Sequence, residues 1–338
     1  RQAGFSQDEL VARIGEMVKK TAIAKYERGE MMPKPDVIEA LARALDQPVD
    51  YFFKKIELTI TQEEFRAKAS LGARAEDQLR HRIIQATERY VELEKLANAS
   101  PVFKNPFEGM IISTKEQLET FAIKLRQQWN LGDHPIAGVM TLLEEQGIRV
   151  IDLEVDTNDF EGFSAIANQI IPIIVVRSTA TTERRRFTAL HELAHLLFKF
   201  DESLTPKEVE RLCHIFAGAM LIPRNVFIET YGESRTRFAK KDLDIAKDKY
   251  GISGYAFIMR AFNLGVLSPF SLPQMRKYVT LHPLEMHIGS NTSIDKPTRF
   301  DQLILKALYE GYISLTKGAE LSGLGLQLFI KHYTENAI

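Results

Sequence analysis

The sequence predicts a chain of several domains that is mainly α-helical and contains one small α/β part. Its length of 338 residues exceeds the usual size of one domain. Apolar residues recur at helical intervals in most segments, whereas runs rich in β-branched residues are confined to residues 148–176. The predicted divisions are an N-terminal helical domain (1–56), a helical linker (57–105), an α/β domain (106–232) and a C-terminal helical domain (233–338).

The composition limits the classes of function. Lys and Arg number 44 against 45 Asp and Glu, a formal net charge of -1, so any contact with nucleic acid must be local. The longest apolar run, residues 170–176, is too short to cross a bilayer, and we expect no membrane partner. Cys213 is the only cysteine, which excludes an intramolecular disulfide and suits the reducing cytoplasm, where we expect the protein to act.

The N-terminal segment predicts a compact bundle of short helices. Ser6 and Glu9 have the spacing of a capping box, in which each side chain satisfies the free backbone N–H of the other residue. A second short helix is predicted over residues 19–28 and ends at Gly29, and "DVIEALARALD" predicts an amphipathic third helix. Tight turns between the helices give this segment the spacing of a helix-turn-helix.

The middle of the chain predicts strands followed by two helices. "IRVIDLEV", "FSAIANQ" and "IIPIIVV" are short and rich in β-branched residues. "TTERRRFTALHELAHLLFKF" predicts the first helix and "TPKEVERLCHIFAGAMLIP" the second, which the turn at residues 201–205 can fold back antiparallel to the first. Beyond Arg224 the pattern is helical again, with a loop expected over residues 281–297.

The first of these helices contains a metal-binding pattern. His191 and His195 are four residues apart, so both imidazoles lie on one helix face and can reach one ion. They stand among leucines, where unpaired polar groups would be costly, and a bound zinc ion would compensate for that burial. Glu192 points aside from the pair and is placed to take a proton from metal-bound water.

A zinc site with two histidines needs a third protein ligand and an open position for water. Glu210 on the following helix is the candidate, and the alternative is that it is a solvated glutamate. His214 lies four residues further along on the same helix face. It is expected to support Glu210 from behind or to replace it as the ligand.

At this point the residues resemble a known family. "RRRFTALHELAHLLF" and the following "E-x-x-x-H-x-FAGAMLIP" are similar to the ImmA/IrrE-type zinc metallopeptidases over residues 107–231. The resemblance implies a gluzincin-like α/β domain with a short sheet beside the zinc helix, and cleavage of a partner repressor. It also implies that Zn²⁺ is held by His191, His195 and Glu210 and that Glu192 is the general base. The usual Asn or Asp is replaced by His214.

"FSQDELVARIG" and "KKTAIAKYERG" resemble the Cro/CI-like (XRE) helix-turn-helix domains, which are of a five-helix type. The resemblance implies that Lys19, Lys20, Thr21 and Lys25 face operator DNA, with Gln7 near a phosphate. It also implies a homodimer on paired half-sites. The alternative is a helical module for protein contacts whose lysines are simply solvated.

Three functions therefore stand at this stage. The first is a zinc endopeptidase fused to a DNA-binding domain, acting as a regulator. The second is a transcription factor whose metal site is structural or sensory, and the third is an interaction protein such as an antitoxin. Glu192 favours the enzyme because a structural site needs no base. The donor that stabilises the oxyanion is left open among Tyr231, His282 and His287.

Overall fold

In this computed structural model, the structure describes residues 5–45, 49, 52, 58, 60, 73–155, 160–281 and 295–335. Most of these residues are helical, and the strands are few and short. The predicted class, mainly α with a small α/β part, is therefore confirmed. The chain divides into two compact units, Arg1–Arg89 and Tyr90–Ile338, which are described separately below.

The N-terminal unit contains helices α1 (Gln7–Arg13), α2 (Lys20–Glu27) and α3 (Pro35–Leu45), as the sequence predicts. The predicted capping box is present, with the Glu9 backbone N–H donating to Ser6 Oγ and the Ser6 N–H donating to the Glu9 carboxylate. Its small core consists of Ile14, Ile23, Val37, Ala40 and Leu41. Most of residues 46–72, the remainder of this domain and the start of the linker, lie outside the described residues.

Helix α4 (Ala73–Leu96) runs from the first unit into the second. Among its described residues, the second unit contains five strands: β1 (Ile111–Ile112), β2 (Arg149–Leu153), β3 (Gly162–Ala167), β4 (Ile171–Arg177) and β5 (Lys199–Phe200). Strand β4 is central in the larger sheet, with β2 parallel on one side and β3 antiparallel on the other. The two-residue strands β1 and β5 form a separate parallel pair, which the sequence did not predict.

The helices that surround these strands are α5 (Lys115–Gln128), α6 (Val139–Glu145), α7 (Thr182–Leu197), α8 (Pro206–Leu221), α9 (Arg224–Tyr231), α10 (Lys240–Tyr250), α11 (Gly254–Asn263) and α12 (Leu272–Leu281). Helix α7 begins at Thr181, whose hydroxyl accepts the Arg184 N–H, and α8 begins with a capping box of Thr205 and Glu208. One apolar core includes side chains from Phe107 to Val279. The core continues past residue 232, and the domain boundary placed there stays a prediction.

The last described α-helices are α13 (Arg299–Tyr309), α14 (Leu315–Ser322) and α15 (Leu326–Ile330), and a π-helical turn (Lys331–Glu335) follows them. They pack on the end of α4 around a separate small core. Buried charges join this part to the larger core. Glu144 accepts the Thr298 and Arg299 N–H groups at 3.0 and 3.1 Å and so caps the start of α13. Most of the loop predicted over residues 281–297 lies outside the described residues.

Within the residues that the structure describes, no single helix has both the length and the apolar character needed to cross a membrane. Helices α8 and α9 meet the requirements of length and composition only when they are taken together, and the axis bends by 66° between them. Ten of the helical residues of α8 and α9, from Leu212 to Tyr231, belong to the apolar core described above.

Candidate functional site

Helix α7 carries polar side chains into the core of the second unit. It packs against β3, β4 and α8, and Leu190 and Leu193 are completely buried. His191 is 7% exposed and Glu192 is 3% exposed. Both are therefore buried, whereas most glutamates are exposed and histidines are intermediate. One turn on, the ring of His195 lies 5.1 Å from that of His191, centroid to centroid. The helix therefore presents both imidazoles on one face.

Helix α8 brings Glu210 to these two rings. His191 Nε2 lies 3.0 Å from Glu210 Oε2, and His195 Nε2 lies 3.3 Å from Glu210 Oε1. One nitrogen or oxygen from each of the three residues lies within 4.8 Å of the other two. Two imidazole nitrogens and one carboxylate oxygen form a donor set that suits Zn²⁺ with a position left for water. The residues that the sequence singled out are thus brought together, and their chemistry fits the metal.

The charges in this cluster favour an ionised carboxylate. Burial alone would raise the pKa of Glu210, but hydrogen bonds from His191 and His195, together with their charge, outweigh burial. The pKa of Glu210 is therefore held well below its ordinary value. Metal ligands must be deprotonated to bind, and this one is already so at neutral pH.

Strand β3 supplies a contact that the sequence analysis missed. The hydroxyl of Ser164 donates to Glu192 Oε2 at 2.7 Å, and Ser164 is only 9% exposed. The strand lies close to α7 because position 162 has no side chain: a Cβ on Gly162 would stand 2.3 Å from Thr188 Cγ2. The signal in the sequence is a hydroxyl in an otherwise apolar run, "FSAIA", but a lone serine is too common to single out.

His214 lies beside the three converging residues without joining them. Its ring is 4.6 Å from that of His191 and stacks at 5.7 Å on Phe187, and the residue is exposed. Although the residue as a whole is exposed, neighbouring groups crowd its ring, and this desolvation, followed by the charge of His191, lowers the pKa of His214. Its predicted role as a supporting or alternative ligand stays a prediction.

A buried ion pair anchors α7 just before the metal-binding pattern. Arg186 pairs with Asp295 at 2.7 Å and also donates to the carbonyl oxygens of Ile136 and Tyr250. Asp295 in turn accepts the backbone N–H groups of Val139 and Met140 at the start of α6. The arginine therefore holds α7 against several elements only five residues before His191.

Of the three candidate oxyanion donors, only Tyr231 lies among the residues that the structure describes. Tyr231 is 4% exposed and packs in an aromatic cluster with Phe227, Phe238 and Phe257. His282 and His287 lie outside the described residues.

Cys213 is completely buried and belongs to the apolar core, as its apolar helix predicts.

The predicted DNA-facing residues lie on the surface of the N-terminal unit. Lys19, Lys20, Thr21 and Lys25 are exposed, and Gln7 is partly buried. Two of them already have acidic partners. Lys20 Nζ lies 2.6 Å from an Asp8 carboxylate oxygen, and the Gln7 amide donates to Glu27 Oε2 at 2.6 Å. The positive charge of this surface is therefore partly neutralised by the same helices that carry it.

Comparison with known proteins identifies two domain families. Residues 143–261 match the IrrE N-terminal-like domain, which is peptidase family M78, and residues 1–52 match the helix-turn-helix family. No curated protein and no solved structure matches this chain. Both resemblances inferred from the sequence are confirmed. The chain therefore joins an XRE-type helix-turn-helix domain to an ImmA/IrrE-type domain of a metallopeptidase-like family.

Proposed function

We propose that this protein is a zinc-dependent endopeptidase fused to a DNA-binding domain and that it regulates transcription in the cytoplasm by cleaving a partner repressor. The observation that carries the proposal is the convergence of His191, His195 and Glu210 beside the buried carboxylate of Glu192. A site that only stabilised the fold would need no base next to its ligands.

The residues of the site divide the work of peptide hydrolysis. His191, His195 and Glu210 would hold Zn²⁺, which supplies a Lewis acid that polarises water and a peptide carbonyl. Glu192 takes the proton from the attacking water and can pass it to the leaving amine. Because β3 is one of the two outer strands of the described sheet and touches Glu192 through Ser164, an extended peptide could add to its outer edge and lie next to the base.

The N-terminal unit would bring the protein to its site on DNA. Its exposed lysines suit contacts with phosphates, which position a protein on DNA without specifying sequence. Helix-turn-helix domains of this kind act as dimers on paired half-sites, and we infer that this chain does the same on its operator. Regulation then combines binding at an operator with removal of a second DNA-binding protein.

The test is zinc-dependent cleavage of a proteome-derived peptide library, with the fragments identified by mass spectrometry. We expect one equivalent of Zn²⁺ per chain and cleavage at a restricted set of bonds. The variant Glu192→Gln should keep its zinc and lose about 10²- to 10⁴-fold in kcat, since it removes the base alone. Full zinc occupancy without cleavage by the wild type would instead indicate a transcription factor with a structural or sensory metal.

A further inference from the structure

We propose that Ser164 is a positioning residue that fixes the carboxylate of Glu192 in the orientation needed for proton transfer. This inference rests on the proposed function, because it assigns a role in the same reaction. Ser164 acts through Glu192, and its own hydroxyl takes no part in bond making or breaking.

The contact has the geometry of a strong hydrogen bond. The 2.7 Å between Ser164 Oγ and Glu192 Oε2 is short, as expected when a hydroxyl donates to an ionised oxygen. Ser164 is 9% exposed and Glu192 is 3% exposed, so water competes little for either group. In such surroundings a hydrogen bond to a charged group contributes more than an exposed one does.

The strand that carries Ser164 is held firmly against α7. Ser164 pairs with Ile174 in the antiparallel ladder between β3 and β4, which fixes its position along the strand. Gly162 lies on the same face of the strand because side chains alternate. A Cβ there would stand 3.3 Å from Glu192 Cγ and 3.2 Å from the carbonyl oxygen of Val175. The missing side chain lets β3 approach until the serine hydroxyl reaches the glutamate.

Holding one carboxylate oxygen has two chemical consequences. It sets the plane of the Glu192 carboxylate, and proton transfer depends steeply on that alignment. It also opposes rotation of Glu192 toward the ion, where the carboxylate would become a further ligand and cease to be a base. The hydrogen bond therefore helps to keep Glu192 in the role of base, while Glu210, which comes from α8, is the glutamate that meets both histidines.

The experiment compares Ser164→Ala with the pair Ser164→Thr and Ser164→Val. Thr and Val have nearly the same shape, so the difference between them isolates the hydroxyl. Ser271→Ala, which alters another buried serine, is the control for loss of a serine as such. Each variant is assayed in the full chain with zinc bound, using the library peptide that the wild type cleaves fastest.

We expect Ser164→Ala and Ser164→Val to lower kcat about 10- to 100-fold, the value of one hydrogen bond to a charged group. KM and zinc affinity should stay within about two-fold, and Ser164→Thr should keep most of the activity, because only the base is disturbed. In the background of Glu192→Gln, Ser164→Ala should cost nothing further. Crystal structures of metal-free Ser164→Ala and Ser164→Thr should show the Glu192 carboxylate rotated in the first and unchanged in the second.

Four results would overturn the inference. Wild-type kcat in Ser164→Ala and Ser164→Val would do so while leaving the proposed function intact. Equal losses in Thr and Val, or a loss shared between kcat and zinc affinity, would show that the serine is merely structural. Absence of zinc-dependent cleavage by the wild type itself would remove the proposed function, and this inference with it.

Discussion

The candidate metal centre (His191, Glu192, His195 and Glu210) and the predicted DNA-facing surface of the N-terminal unit place polar residues under opposite conditions. In the metal centre, His191 and Glu192 are buried, and each has a partner that fixes its direction. On the N-terminal unit, Lys19, Lys20 and Lys25 are exposed. A buried polar group is costly unless its neighbours compensate, whereas a surface lysine is tolerated almost anywhere.

This difference determines what each substitution should do. In the buried cluster, each side chain depends on the others, and removing one should have a large effect that spreads to its partners. On the surface, solvent and salt screen the charges, including the pair of Lys20 with Asp8, and removal of one charge should cost little. The predictions below test that contrast, beginning with the largest expected effect.

The largest effect is expected from Glu210→Gln in the metal centre. The change removes the charged oxygen that would bind zinc but keeps the shape of the side chain. Loss of a residue that merely hydrogen-bonds to a metal ligand typically lowers metal affinity about 10- to 100-fold, so loss of a ligand should lower zinc affinity by more than about 100-fold. Competition with a chelator measures the affinity. Glu208→Gln, two residues earlier on the same helix, is the matched control and should bind zinc like the wild type. Equal affinities for both variants would exclude Glu210 as a ligand.

A buried carboxylate outside the metal centre should show a pH-dependent effect on stability. Burial raises the pKa of Glu144 from 4.5 to about 7, so the folded protein keeps this proton after the unfolded chain has lost it. The contribution of Glu144 to the free energy of unfolding is therefore largest below pH 4.5, and it is lost as the pH rises to about 7. The loss is at most on the order of 3 kcal/mol.

Glu144→Gln keeps an acceptor oxygen for Thr298 and Arg299 but does not titrate in this range. Denaturant unfolding of both proteins at pH 5 and pH 8 should therefore show the wild type losing stability relative to the variant at the higher pH. The other carboxylates titrate alike in both proteins, so their contributions cancel when the two free energies of unfolding are subtracted. Parallel pH profiles would mean that Glu144 is ionised in the folded protein throughout.

Gly162→Ala tests whether the close approach of β3 and α7 is required. The added Cβ would stand 2.3 Å from Thr188 Cγ2, so one element must shift, at a cost of about 1 to 3 kcal/mol in unfolding free energy. Gly254→Ala is the control, because its Cβ would meet only ordinary contacts, 3.6 Å to the nearest side-chain atom. Similar unfolding midpoints for the two variants would contradict the packing argument.

The smallest effect is expected on the DNA-facing surface. Changing Lys19 and Lys25 together to alanine should weaken binding to the promoter of the protein's own gene. It should also reduce the slope of log affinity against log salt by about two, one for each lost phosphate contact. Fluorescence anisotropy over a salt series measures both. Lys207 and Lys241, changed together in the second unit, are the control for loss of charge alone. An unchanged slope in the first pair would favour a module for protein contacts.

The same contrast explains how much could be predicted from the sequence. The helices, the three longer strands and the convergence on His191, His195 and Glu210 follow from periodicity and from the cost of burying histidines. Strands β1 and β5 have only two residues each, too few for any periodic pattern. The contact between Ser164 and Glu192 joins residues 28 apart in sequence, and it depends on a glycine whose effect appears only when β3 and α7 are packed.

On the N-terminal surface, the sequence predicted which residues are exposed but not how they pair. Asp8 and Lys20 are 12 residues apart, and Gln7 and Glu27 are 20 apart. Flexible, solvated side chains have many alternative partners of similar energy, so spacing alone cannot select among them. Packing limits the alternatives for buried groups, but a partner distant in sequence, such as Ser164 for Glu192, is apparent only once the elements are assembled.

The burial of Cys213 has a practical consequence. Because the chain has a single cysteine, any thiol reagent can label it at one position only. The sulfur is shielded in the helix that also carries Glu210, so reaction requires that helix to open. The rate of labelling in the native protein therefore reports how often this helix opens beside the candidate metal ligand Glu210, and the measurement needs no engineered cysteine.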